Sequence, residues 1–286
     1  MGTIKVGTEN STSIDLYYED LGSGPPIVLI HGFPLNGASW EKQIPALLAA
    51  GYRVITYDRR GFGRSSQPAG GYDYDTFTAD LDTLITKLDL QKVNLVGFSM
   101  GGGEVARYAG HYGLERLHSA VFIGAITPSL LKDSDNPSGP TPDVLAEIKA
   151  QALKDRPSFL SGFFKNFFNV DELRGSNITD EAVQMSWNVA IAASPIATAA
   201  CVDTWGTDFR NDLAALRVPT LVIHGDSDRI VPLAASGQRM PGIISGARLV
   251  VIPKGPHAVN WTHAEQVNSA LIEFLNEQRQ SGLGVI

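Results

Sequence analysis

The chain has 286 residues, 43% of them hydrophobic and 19% charged, with a net charge of −7. That length and composition support a full core and exclude a disordered, fibrous or disulfide-stapled protein. The acidity, without any basic run, argues against nucleic acid or a membrane surface as partner, and the single cysteine, Cys201, with no signal-peptide pattern or long apolar run, points to a cytoplasmic protein.

Residues 4–6 and 14–20 read as an antiparallel edge hairpin. From 27 to 123 strands and helices alternate, the signature of a parallel sheet covered on both faces. Residues 26–30 form an apolar strand that ends in His31-Gly32-Phe33-Pro34. Residues 53–57 form the next, leading into a glycine-rich turn at 58–65. Gly61 and Gly63 superficially match a phosphate loop, but Ser66 stands where a third glycine belongs. Residues 76–88 are an amphipathic helix, with Phe77, Leu81, Leu84, Ile85 and Leu88 on one face.

The short apolar run at 93–96 leads into Gly97-Phe98-Ser99-Met100-Gly101 and then a helix over 102–112. A strand that turns at once into a helix forces its middle residue into a tight, exposed bend, and only small residues fit on either side. The residue at the bend is Ser99, a nucleophile's position.

Alternation stops near Thr127. A Pro/Ser/Asp-rich stretch at 128–142 leads into helical segments without strands, as far as about 206. This predicts an α/β core at 1–126 and 208–286, with a helical lid at 127–207 over the rim of the sheet. Phe159, Phe163, Phe164, Phe167 and Phe168 fall at helical spacing there; most should fill the lid's own core, with Phe163 reaching the pocket.

Strands resume at 218–223 and 247–252. The first runs into Asp226 and Asp228, the second into His257. In an open parallel sheet, groups just past the strand ends share one rim, so Asp and His are expected beside Ser99 in the order Ser…Asp…His. Asp228 is preferred to Asp226, which is expected to brace the turn. His257 is preferred to His263, because Thr262-His263-Ala264-Glu265 has the form of a capping box with Thr262 as N-cap. His111, His118 and His224 are likewise read as structural, and no metal-binding spacing appears. The oxyanion of an attacked carbonyl needs two N–H donors. Met100, after the nucleophile, supplies one and Phe33, before Pro34, the other.

With these residues in view, the chain resembles the α/β-hydrolases, and within them the cofactor-free (non-haem) haloperoxidases, arylesterases and perhydrolases. The resemblance is carried by His31 to Leu35, Gly51 to Gly63, Gly71 to Phe77, Val96 to Gly101, Asp208 to Arg210, and Pro256-His257 with Trp261 to Glu265. It implies an eight-stranded, mostly parallel sheet with helices on both faces, and no cofactor. It makes Ser99 the nucleophile, Asp228 the acid and His257 the base, with Phe33 and Met100 as oxyanion donors and Trp261 near the acyl pocket; Pro34 is also assigned to the pocket. The expected activity is hydrolysis of small carboxylic esters through an acyl-enzyme, with perhydrolysis when hydrogen peroxide replaces water. γ-Lactam or carbon–carbon bond hydrolysis would use the same triad, and a small-ligand signalling receptor could use the same fold. The assembly state is open to a homo-oligomer. The segment after Asn276 matches no motif.

Overall fold

The computed structural model of the chain describes residues 1–281. The edge hairpin is longer than its apolar residues alone predict. Strands β1 (Gly2–Glu9) and β2 (Thr12–Leu21) pair antiparallel about Asn10 and Ser11, which both have positive φ, 47° and 64°. That backbone is the two-residue turn whose twist matches right-twisted strands. Six strands follow: β3 (Pro26–Ile30), β4 (Arg53–Tyr57), β5 (Val93–Phe98), β6 (Leu117–Ile123), β7 (Thr220–Gly225) and β8 (Arg248–Ile252).

These make one eight-stranded sheet in the order β1-β2-β4-β3-β5-β6-β7-β8. β2 is antiparallel to β4, and every pairing from β4 across to β8 is parallel. The central strands are buried on both faces, as parallel strands under helices must be. Their side chains alternate between two separate cores: Val28 and Ile30 enter one, Ile27 and Leu29 the other.

Helices α1 (Ile44–Ala49), α2 (Tyr74–Lys87) and α3 (Met100–His111) connect the first strands. α2 starts ahead of its apolar stripe because Asp73 caps it, accepting from the Thr76 N–H at 2.8 Å and the Thr76 hydroxyl at 2.9 Å. Between β6 and β7 the chain makes only helices: α4 (Pro142–Lys154), α5 (Arg156–Phe167), α6 (Val170–Leu173), α7 (Asp180–Ile191) and α8 (Pro195–Thr204). α9 (Arg210–Ala215) closes that stretch before β7, and α10 (Val259–Thr262) and α11 (Ala264–Ser281) follow β8. The capping box at Thr262 does not form. Thr262 is the last residue of α10, and its hydroxyl donates back to the Ala258 carbonyl at 3.1 Å. α11 carries the chain past Asn276; residues 282–286 lie outside the described residues. Among the described residues, no single helix is long and apolar enough to cross a membrane.

β3 connects to β4 on one side, whereas β5 connects to β6 on the other. The switch point of the sheet therefore lies between the carboxyl ends of β3 and β5, where open α/β sheets place ligands.

Candidate active site

At that switch point β5 turns into α3 through Ser99, whose φ of 53° and ψ of −118° lie outside the regions open to most L-residues. The bend leaves no room around it. A Cβ on Gly97 would lie 2.4 Å from the Gly101 carbonyl oxygen, and one on Gly101 the same distance from that of Ile30. Both residues must be glycine for steric reasons, and the Ser99 N–H is tied to the Ile123 carbonyl of β6 at 2.8 Å.

The loops after β7 and β8 bring Asp228 and His257 to this serine. Ser99 Oγ lies 2.8 Å from His257 Nε2, and His257 Nδ1 lies 2.7 Å from Asp228 Oδ2. A carboxylate can only accept, so Nδ1 carries the proton and Nε2 is left free to accept from the serine hydroxyl. Asp228 Oδ1 takes the backbone N–H groups of Ile230 at 2.9 Å and Val231 at 2.7 Å. Burial alone would raise the Asp228 carboxyl, but the His257 and His224 rings outweigh it and hold the group well below the usual carboxylate range. The His257 ring is fully buried between Phe98 and Phe167, with both ring centroids at 5.2 Å. Asp226 does a different job, accepting the Lys254 N–H at 2.7 Å and so bracing the two loops. His263 is half-buried beside Thr262 and away from this group.

The loop after β3 crosses the serine. A Cβ on Gly32 would lie 2.9 Å from the Ser99 Cβ, so glycine alone lets the loop pass and sets Phe33 next to Ser99. Met100 opens α3, where first-turn N–H groups have no partner within the helix. The Phe33–Pro34 peptide is cis, and Leu35 N donates to the Gly32 carbonyl at 3.0 Å.

Behind the loop sits a buried polar network that sequence reasoning did not anticipate. The Arg59 N–H donates to His31 Nε2 at 2.9 Å, and Arg59 Nη2 donates to the His31 carbonyl at 2.8 Å. Arg59 Nε reaches Glu104 of α3 at 2.6 Å, and the Tyr57 hydroxyl donates to the other carboxylate oxygen. Burial first, then the Arg59 charge, pushes His31 well below its ordinary value, so the ring stays neutral with Nδ1–H on the Gly32 carbonyl. One fully buried ion pair thus joins the helix that follows Ser99 to the loop that crosses it. The neighbouring glycine-rich turn wraps Asp58, which accepts from Gly37 N at 2.9 Å and Arg64 N at 2.7 Å; it is a brace, with no phosphate cradle.

Ser99 and Phe33 open into a cavity of about 840 Å³. Its walls are mostly apolar and include Ile126, Leu130, Phe159, Phe163 and Val231. Trp205, which the sequence did not single out, faces the Phe33 ring edge-on at 4.9 Å, and Phe163 does so at 5.8 Å. Two pocket assignments need correction. Trp261 lies on α10 against Leu35 and Ser39, lining a separate, much smaller cleft, with the Lys42 ammonium 5.1 Å above its ring. α10 begins directly after the His257 loop and carries the indole to that cleft. Pro34 is buried in its loop and does not line the cavity.

The model for the "alpha/beta hydrolase fold" matches residues 25–264. The chain belongs to the α/β-hydrolase family. This hydrolase is 61% identical over 275 residues to the "Putative non-heme chloroperoxidase" of Synechocystis sp., covering 96% of this chain and 100% of the relative. It is 32% identical over 265 residues to the "Bifunctional esterase/perhydrolase DCH" of Acinetobacter calcoaceticus, covering 92% and 96% of the two chains. The crystal structure of bromoperoxidase from Bacillus anthracis superimposes with a TM-score of 0.92 at 48% identity, covering 96% of the hydrolase and 99% of that chain. Within its family the hydrolase falls in the non-haem haloperoxidase group.

Proposed function

We propose that this hydrolase cleaves small carboxylic esters with Ser99 as nucleophile, and forms peracids when hydrogen peroxide takes the place of water. The observation that carries the reading is the unbroken hydrogen-bond chain from Ser99 through His257 to Asp228, at 2.8 and 2.7 Å, opening into an apolar cavity. His257 Nε2 takes the serine proton as Oγ adds to the ester carbonyl. The Phe33 and Met100 N–H groups hold the oxyanion, and the imidazolium returns the proton to the leaving alcohol. Water then loses a proton to His257 and adds to the acyl-enzyme, releasing the acid and restoring Ser99. With hydrogen peroxide as the attacking group the released product is the peracid, which oxidises halide in solution. Residues 127–207 act as the lid that keeps this cavity dry. The relatives named as a chloroperoxidase, a bromoperoxidase and an esterase/perhydrolase support this pairing of activities. The net charge of −7 fits a cytoplasmic enzyme with neutral ester substrates.

The test is turnover of p-nitrophenyl acetate and butyrate by wild type and Ser99→Ala, with and without peroxide and bromide. Wild type should cleave both esters and brominate a reporter only with peroxide present. Ser99→Ala should lose both activities by about 10⁴-fold or more. Equal turnover by the two proteins would sink the reading.

A further inference from the structure

Asp228 does not face His257 alone. His224, at the end of β7 and fully buried, places its Nε2 at 2.8 Å from the Val231 carbonyl and 3.3 Å from Asp228 Oδ2, the oxygen that also takes the His257 proton. Both neighbours of that nitrogen are acceptors, so Nε2 must carry the hydrogen and share it between them. The opposite nitrogen, Nδ1, is buried without a partner. Gly237 holds the ring from that side: a Cβ there would lie 2.6 Å from Nδ1. A histidine that served only to fill the core would gain nothing from this arrangement, since an orphaned buried nitrogen costs free energy.

We propose that His224 is a positioning residue for the acid–base pair, fixing the Asp228 carboxylate in the orientation that His257 requires. The two backbone N–H groups on Oδ1 anchor one end of the carboxylate. The His224 N–H spans Oδ2 and the Val231 carbonyl, closing the 228–231 turn on itself and preventing the carboxylate from rotating about its Oδ1 anchor. His224 does not line the cavity, so its effect falls on the chemical steps and not on substrate binding. This inference rests on the ester-hydrolase reading of the triad.

Wild type, His224→Phe, His224→Gln and Asp228→Asn are compared on p-nitrophenyl butyrate. His224→Phe keeps a ring but no donor, and should lower kcat about 10- to 100-fold with KM within about twofold. Glutamine sets an amide N–H near the Nε2 position, and His224→Gln should recover kcat to within about threefold of wild type. Wild-type kcat in His224→Phe, or equal losses in the Phe and Gln variants, overturns the proposal. Full turnover by Asp228→Asn would instead bring down the triad reading itself. A measurement without substrate keeps the two apart, and it stands even where His224→Phe fails to fold. In ¹⁵N-histidine spectra of the wild type, His224 should be the Nε2–H tautomer, and that proton should shift in Asp228→Asn. An Nδ1–H tautomer, or a proton that Asp228→Asn leaves unmoved, overturns the proposal.

Discussion

The two halves of the active site are held by different physics. Ser99 and the loop that crosses it sit at the ends of adjacent strands, and their backbone is set by sheet pairing and by glycines that tolerate no Cβ. Behind them lies a buried charge pair, Arg59 and Glu104. Asp228 and His257 sit on longer loops and are held by two backbone N–H groups, the His224 ring, and contacts from the helical insertion. The Asn169 side chain donates to the Ser227 carbonyl at 2.8 Å, and Ala258 N donates to the Phe167 carbonyl at 3.0 Å. The half nearest the sheet centre has its backbone set by strand ends, while the other also takes backbone hydrogen bonds from a segment that lies outside the sheet. The insertion therefore also braces the loops that carry Asp228 and His257.

Breaking either half should be visible, in descending order of effect. His257→Ala removes the imidazole hydrogen-bonded to Ser99, and ester turnover should fall by about 10⁴-fold or more with the fold intact by circular dichroism. Glu104→Gln strikes the charged half. It leaves the fully buried Arg59 without a counter-ion, and chemical denaturation should show a loss of about 3 kcal/mol. A variant as stable as wild type would mean the pair contributes nothing to holding the loop after β3.

Acid should separate the halves further. The folded Asp228 carboxyl is held below its unfolded value, so the stability it lends is whole above about pH 4 and is lost as pH falls through the folded value. Burial pushes Glu104 the other way, against the pull of Arg59, so its contribution has the opposite sign. Melting temperatures of Asp228→Asn followed downward from about pH 6 should therefore fall less steeply than those of wild type. A parallel decline would contradict the assignment. The smallest effects belong to the cavity wall. Phe163→Ala should shift the kcat/KM ratio for octanoate over acetate esters by about tenfold. Trp261→Ala, which does not touch the cavity, should stay within about twofold of wild type on both.

The same division decides what can be read from sequence. Gly97, Ser99 and Gly101 are legible because the backbone itself demands those residue types at that spacing, and the strand ends carrying Asp228 and His257 follow from strand alternation. Phe163 was within reach because aromatic residues at helical spacing mark α5. Trp205 carries no such mark; only the packing of the insertion onto Phe33 brings it to the cavity. Trp261 shows the converse: the resemblance placed it near the acyl pocket, but α10 carries it to a separate cleft. The Arg59–Glu104 pair was hidden because its partners lie far apart in sequence, and neither charge announces burial. His224 looked like an ordinary core histidine, since a contact shared between Val231 and Asp228 leaves no periodic trace.

The chemistry of the cavity wall also bears on how long the enzyme lasts. Among the described residues lining it there is no methionine or cysteine. Met100 directly follows Ser99, yet its side chain is fully buried, as are those of Met240 and Cys201; Met1 and Met185 keep some exposure but do not line the cavity. Thioethers and thiols are the groups that peracids oxidise first, and sulfoxide formation in a packed core disrupts it. On the proposed function, a peracid formed beside Ser99 meets no thioether or thiol among the described residues of the cavity wall.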